Sequence, residues 1–124
     1  DLQIPRWLSL ILKNGNTLLD GTDLTNVLSD VKEYGIEMVL LNCNLCSITA
    51  DAVDVLLRNW KGPWGVYPNV GTAMPTKEGV IEKKLTIKEF TNEIKKYLTS
   101  GAKVIGACCG SNPDYIRAAR EAID

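Results

Sequence analysis

The chain has 124 residues, of which 45% are hydrophobic and 23% are charged, and its formal net charge is -1. This balance argues against a nucleic-acid partner, and no apolar run is long enough to span a bilayer. The four cysteines and the lack of a secretory leader predict a cytoplasmic, reducing compartment in which the thiols stay free or bind metal.

The first part of the chain predicts a strand, a helix and a second strand. An apolar run over residues 6–12 predicts the first strand. Thr22 or Asp23 is expected to cap the helix that follows, and Gly35 is expected to end it in a left-handed conformation. The second strand is predicted over residues 37–42, because this segment is apolar and directly follows the helix stop.

The middle of the chain predicts a second helix, a third strand and a long loop. Ser47 or Thr49 is expected to cap the helix, which ends before residues 61–63. The third strand is predicted over residues 64–67. A polar loop over residues 70–85 follows, and loops of this length in compact domains are often functional, so it is a candidate cover for an active site.

The last part of the chain completes the alternation of strands and helices. Thr86 and Glu89 have the spacing of a capping box, so a third helix is expected to begin there. A fourth strand is predicted over residues 103–107, and a last helix opens with Pro113 in its first turn. The tryptophans are expected to pack between strands and helices: Trp7, Trp60 and Trp64. Four such units fit either a small open parallel sheet or half of an eight-stranded barrel.

Three cysteines follow predicted strands. Cys43 closes the second strand, and the adjacent pair Cys108 and Cys109 closes the fourth. The carboxyl ends of parallel strands share one edge, where active sites of α/β proteins form, so three thiols there suggest a metal site. Taken alone, each cysteine could instead be a small buried residue, and Cys46 is expected to be structural.

Several short motifs resemble those of a known family. They are Ser9 after Arg6-Trp7-Leu8, the segment 20–24, Asn42-Cys43, Tyr67-Pro68-Asn69, and the segment 106–110 followed by Pro113. Together they resemble the homocysteine S-methyltransferase domain over nearly the whole chain. Members of that family are zinc-dependent (β/α)8 barrels in which three cysteines hold the metal. The resemblance implies that residues 1–124 supply strands five to eight, the C-terminal half of the barrel, without the N-terminal half.

The resemblance also implies a reaction and a site. Zinc would be held by Cys43, Cys108 and Cys109, and a methyl group would pass from S-methylmethionine, S-adenosylmethionine or a similar donor to the thiolate of L-homocysteine, giving methionine. Substrate contacts are expected from Asn42, Asn69 and Ser9, although either asparagine could instead tie a strand end to its loop. The N-terminal half-barrel would be required, so this fragment alone is expected to be inactive.

Two other functions compete with methyl transfer. Cys43 and Cys46 form a C-x-x-C motif, which is typical of thioredoxin-like thiol oxidoreductases, but that function leaves Cys108 and Cys109 unexplained. Alternatively, all four cysteines could form a closed, non-catalytic zinc module.

Overall fold

The computed structural model describes residues 3–123, in which strands and helices alternate as predicted. The strands are β1 (Trp7–Leu10), β2 (Met38–Leu45), β3 (Trp64–Asn69) and β4 (Val104–Ile105). The helices are α1 (Leu24–Asp30), extended by a 3-10 turn (Val31–Tyr34), α2 (Cys46–Asn59), α3 (Ile87–Thr99) and α4 (Pro113–Ile123). The α/β class is therefore confirmed, and no described helix has the length and apolar character needed to cross a membrane.

The four strands form one parallel sheet in the order β1-β2-β3-β4. Each crossover therefore moves to the next strand in the same direction, and right-handed connections then place α1, α2 and α3 on one face of the sheet. Helix α4 lies on the same side, because its Tyr115 and Ala119 belong to the same core. Val39, Leu41 and Val66 of the sheet share a single core with residues from every helix, such as Leu56 and Phe90. The hydrophobic core thus lies between the sheet and one layer of helices.

The opposite face of the sheet, here called the open face, has no covering helix among the described residues. Side chains alternate along a strand, so Leu40 lies on this face and stays outside the core cluster. Ser9 and Tyr67 also lie there, and their hydroxyl groups are hydrogen-bonded to each other. Trp7 shares this face and is 54% exposed, so the expectation that it packs against helices is wrong, whereas Trp60 is buried as expected.

Three helix ends lie at the capping residues that the sequence predicts. Asp23 caps α1, and its carboxylate accepts a hydrogen bond from the Thr25 amide at 2.7 Å. Gly35 ends the 3-10 turn with φ of 63°, which a residue with a Cβ adopts at a cost. Thr86 and Glu89 form the complete capping box of α3. These interactions set where the helices begin and end.

The junction between β2 and α2 departs from the prediction. The strand continues to Leu45 rather than ending at residue 42, and the helix begins immediately afterwards at Cys46. Neither Ser47 nor Thr49 caps it, because both lie inside its first turn. The Thr49 hydroxyl instead donates to the Leu45 carbonyl at 3.0 Å. This tight junction brings the end of β2 and the start of α2 next to the sheet edge.

The predicted loop after β3 is a folded arm. Residues 70–85, here called the arm, turn back on themselves through an antiparallel bridge between Gly71 and Lys84. The Leu85 amide donates to the Val70 carbonyl at 2.8 Å, and the Tyr115 hydroxyl donates to the Leu85 carbonyl at 2.6 Å. The arm is therefore fixed at its base, at the same sheet edge as the cysteines.

Candidate metal centre

Three thiols from two strand ends come together at the carboxyl edge of the sheet. Cys43 lies in the last part of β2, and Cys108 and Cys109 follow β4. Their three Sγ atoms all lie within 4.8 Å of one another. The Cys43 and Cys109 sulfurs are 3.2 Å apart, and the Cys108 and Cys109 sulfurs are 3.9 Å apart. The chain therefore assembles a three-thiol cluster from residues 66 positions apart.

An irregular backbone aims Cys43 into this cluster. Regular alternation along β2 would turn it toward the helices, on the side of Val39 and Leu41. Cys43 instead has φ of 54°, in the left-handed region, and the pairing of β2 with β3 shifts register between Asn42 and Leu45. Such irregularities redirect side chains next to active sites, and they are retained where the surrounding structure stabilises them.

The end of β3 holds the backbone of the other two cysteines. The Cys108 amide donates to the Pro68 carbonyl at 2.8 Å, and the Val70 amide donates to the Cys109 carbonyl at 3.1 Å. Gly110 then turns the chain with φ of 79°, in the region that favours glycine. This turn explains how two adjacent side chains can both approach Cys43, since neighbours in a regular strand would point to opposite faces.

The spacing of the sulfurs brackets the value for a tetrahedral zinc ion. A zinc–sulfur distance of about 2.3 Å places the sulfurs of a tetrahedron about 3.8 Å apart. This value lies between the 3.2 Å that separates the Cys43 and Cys109 sulfurs and the 3.9 Å that separates those of Cys108 and Cys109. Without a cation, the hydrogen bond with Cys43 and then partial desolvation raise the pKa of the Cys109 thiol. A bound cation reverses this effect, because it stabilises thiolates. The donor set is therefore suited to a metal that accepts three thiolates.

Cys46 stands apart from the cluster. Its thiol is 7% exposed and donates to the Asn69 carbonyl at 3.9 Å, while the Tyr97 hydroxyl donates to the Cys46 carbonyl. Burial, with a smaller contribution from Glu93, raises the pKa of this thiol to about 11. Redox cysteines need the opposite shift, because the thiolate is the reactive form. Neither the C-x-x-C oxidoreductase nor the four-cysteine zinc module is therefore favoured.

The three predicted substrate residues lie in different surroundings. Ser9 is exposed on the open face, next to the Tyr67 hydroxyl. Asn42 is half-buried, and its Oδ1 is a buried acceptor without a hydrogen-bond partner among the described residues. Asn69 is 2% exposed, and its Oδ1 accepts from the Gly71 amide at 2.6 Å. The structure gives Asn69 a loop-holding contact, and substrate binding by all three stays a prediction.

Sequence reasoning missed one polar residue at this edge. Asn44 is 3% exposed and its Oδ1 accepts from the Leu12 amide at 2.7 Å, which ties the β1–α1 loop to the end of β2. Asn44 lines a pocket of about 210 Å³ that also contacts Cys43 and Cys109. A polar residue directly after Cys43 was the available signal, although its partner in a distant loop could not be read from spacing.

Comparisons with known proteins support one family. The sequence profile of the homocysteine S-methyltransferase family matches residues 1–123. A selenocysteine methyltransferase of Astragalus bisulcatus is 28% identical over 91% of this chain, and homocysteine S-methyltransferase 1 of Saccharomyces cerevisiae is 27% identical over 97%. The chain spans only 34% and 40% of these two relatives.

A solved structure gives the same result for the fold. The metallated form of the homocysteine methyltransferase MmuM from Escherichia coli superposes on 97% of this chain with a TM-score of 0.73 and 26% sequence identity. The matched region is 36% of that chain. The parallel four-stranded sheet and its helices are therefore similar to one part of that larger enzyme.

Proposed function

Because this chain belongs to the homocysteine S-methyltransferase family, we propose that it takes part in methyl transfer to the thiolate of L-homocysteine, which yields methionine. Membership of the family confirms the resemblance found in the sequence motifs. The main support for the activity is the convergence of the sulfurs of Cys43, Cys108 and Cys109 within 4.8 Å at the edge where such sites form.

In this proposal Cys43, Cys108 and Cys109 hold zinc. Three protein ligands leave one tetrahedral position open, which is the arrangement of catalytic rather than structural zinc sites. When bound, zinc supplies a Lewis acid that lowers the pKa of a thiol. The chain contains no histidine, so none of its residues provides an imidazole base. The homocysteine sulfur forms the new bond to the methyl carbon as the donor's bond to that carbon breaks and its electron pair stays on the donor.

The polar groups near the cluster orient the substrate. The free Oδ1 of Asn42 is an acceptor suited to an ammonium group, because a buried acceptor without a partner is costly until one is bound. Ser9 offers a hydroxyl on the same open face. Asn69 keeps its Oδ1 on Gly71, so its amide nitrogen is the group left to contact a substrate.

We place the chain as strands five to eight of a (β/α)8 barrel, with the N-terminal half required for activity. Sequential parallel strands with all helices on one face are the arrangement of a barrel segment, and the opposite face then becomes the barrel interior. The exposed Trp7 on that face fits this arrangement. The missing half would complete recognition of S-methylmethionine, S-adenosylmethionine or a similar donor. Four free thiols favour a cytoplasmic location.

The activity is tested on the full-length protein. Methionine formation from L-homocysteine is followed with S-methylmethionine and with S-adenosylmethionine, while bound zinc is measured in the same samples. Cys108→Ala is expected to abolish both, because a ligand is lost. Cys46→Ala is the matched control and is expected to keep zinc and methyl transfer, since its sulfur lies outside the cluster.

Two results would contradict the proposal. Full methyl transfer by Cys108→Ala would show that the cluster is not the reaction centre. Disulfide turnover that requires Cys46, without methyl transfer to homocysteine, would instead favour the oxidoreductase.

A further inference from the structure

One side chain of the arm packs against two glycines at the metal centre. A Cβ at Gly110, which directly follows Cys109, would lie 3.2 Å from the Cγ2 methyl group of Ile81 and 3.1 Å from that of Val70. A Cβ at Gly71 would lie 3.1 Å from the same Ile81 methyl group. Carbon–carbon contacts are normally about 3.5–4.0 Å, so this methyl group occupies space that a side chain would need. Ile81 therefore lies directly against the backbone of both glycines.

The hydrophobic core does not explain the position of Ile81. The residue is half-buried, yet it is not one of the described residues that form the core or pack against it. Its neighbour Val80 also belongs to the arm and is 54% exposed. The Thr72 amide donates to the Lys83 carbonyl at 3.0 Å, so the two sides of the arm are paired around Ile81. The arm, rather than the core, thus holds Ile81 at the glycines.

The backbone at Gly110 determines where the Cys109 sulfur lies. Gly110 has φ of 79°, and this turn allows the two cysteines before it to approach Cys43. Glycine has access to a wide range of backbone angles, so the residue itself does not fix the turn. The Val70 amide holds the Cys109 carbonyl at 3.1 Å, and the Ile81 methyl group limits the space around the Gly110 α-carbon. Together these contacts restrict the turn to the conformation in which the sulfurs converge.

We propose that Ile81 is a positioning residue of the metal centre, which holds the turn at Gly110 and thereby the Cys109 thiol in the geometry that a metal ion requires. This inference rests on the proposed zinc site of Cys43, Cys108 and Cys109. Ligands that are already in place lose less conformational entropy when the metal binds, and contacts behind the ligands change metal affinity by about 10–100-fold. The arm is therefore part of the metal centre although it contains no cysteine.

The contact is tested first in the parent protein without metal. The full-length protein is treated with a chelator, kept reduced and studied by NMR. Nuclear Overhauser effects are expected between the Ile81 Cγ2 methyl group and the α protons of Gly110 and Gly71, because these groups are in contact. Absence of the effect to Gly110 would overturn the proposal. This measurement needs neither a metal nor a folded variant.

Amide hydrogen exchange in the same metal-free protein separates local positioning from a general loss of stability. The Val70 amide donates to the Cys109 carbonyl, whereas the Gly106 amide donates to the Val66 carbonyl, nearer the middle of β3. In Ile81→Ala, exchange at Val70 is expected to become about tenfold faster, since a half-buried contact is lost, and exchange at Gly106 is expected to change less than about twofold. Equal acceleration at both amides would show that Ile81 only stabilises the fold. Unchanged exchange at both would show that it does not hold the turn, so either result overturns the proposal.

Metal affinity is measured with Co²⁺ alone, whose absorption spectrum reports the geometry of a thiolate site. Ile81→Ala is expected to bind Co²⁺ about tenfold more weakly than the parent protein. Ile81→Val keeps the Cγ2 methyl group that contacts the glycines, so its affinity should stay within about twofold of the parent value. Val80→Ala is the matched control, because it shortens the neighbouring apolar side chain at an exposed position of the arm, and it should also stay within about twofold.

The results distinguish this inference from the proposed function. Equal Co²⁺ affinity in Ile81→Ala and the parent protein would overturn the positioning role and leave the metal site intact. A loss in Ile81→Val or Val80→Ala as large as that in Ile81→Ala would also overturn it, because the methyl contact would not be the cause. A parent protein that binds no Co²⁺ would contradict the metal centre itself, while the exchange rates would still show whether Ile81 holds the turn.

Discussion

Replacing Cys43 by glycine and by alanine separates backbone strain from metal binding. Cys43 has φ of 54°, the one positive φ among the described residues other than glycine. A residue with a Cβ loses roughly 1–2 kcal/mol in this region. Glycine avoids that loss but has more freedom in the unfolded chain, which costs about 0.5–1 kcal/mol relative to alanine. At the middle of both ranges, the balance favours Cys43→Gly over Cys43→Ala by about 0.75 kcal/mol in the free energy of unfolding.

The glycine variant is thus expected to be more stable than the alanine variant, which is the reverse of the order at an ordinary strand position. Ser9 in β1 is the matched control, because its φ is not positive and both of its variants lose the same hydroxyl contact with Tyr67. Ser9→Gly is expected to be less stable than Ser9→Ala by about 0.5–1 kcal/mol. Both Cys43 variants should bind zinc weakly, since each lacks the third thiolate.

Urea unfolding of the full-length protein, with chelator and reductant present, measures the difference. At a slope of about 1–3 kcal/mol per molar urea, the expected difference shifts the midpoint by about 0.25–0.75 M. A midpoint for Cys43→Ala equal to or higher than that for Cys43→Gly would refute the strained conformation. It would also remove the explanation of how the Cys43 sulfur reaches Cys109.

Three further predictions concern stability. Gly65→Ala should lower the free energy of unfolding, measured by heat or urea, by about 1–3 kcal/mol, because the added Cβ would lie 2.5 Å from the Val104 carbonyl oxygen. An unchanged unfolding midpoint would contradict this contact. Thr86→Ala should cost about 1 kcal/mol by the same measurement, since it removes the cap of α3, and no loss would show that the capping box is not formed. The raised pKa of Cys46, about 11 when folded against 9.0 when unfolded, contributes stability that is fully present below about pH 9 and is lost as the pH rises toward 11. From about pH 8 to about pH 10.5, the unfolding midpoint should therefore fall further for the parent protein than for Cys46→Ala. An equal fall in the two proteins would refute the burial of the thiol.

Most of the fold could be predicted because its signals are local. Asp23, Gly35 and the capping box at Thr86 each fix a helix end through contacts a few residues away, and the structure contains all of them. The junction of β2 and α2 could not be predicted in this way. Its boundary depends on a register shift against β3, which is a contact between distant segments that no local pattern encodes.

The candidate site was predictable in part for the same reason. Strand ends in a parallel sheet share one edge, so the position of the cysteines directly after predicted strands indicated that Cys43 lies near Cys108 and Cys109. The left-handed backbone at Cys43 had no signal, because cysteine is not a residue that favours this conformation. Asn44 was equally hidden, since its contact with Leu12 joins strand β2 to the β1–α1 loop across 32 positions.

Metal binding and methyl transfer place different demands on the fold. The three thiols and the backbone contacts that hold them, from Pro68 and Val70, all lie within residues 3–123, so the proposed zinc site depends on this part of the chain. Methyl transfer also requires the donor methyl to be aligned with the acceptor sulfur, and correct alignment can supply about 7–11 kcal/mol of barrier lowering. The open face, with Ser9 and Asn42, provides only one side of the cavity in which that alignment would occur. The sheet thus assembles the three-thiol cluster on its own, whereas the proposed reaction would also depend on what covers the open face.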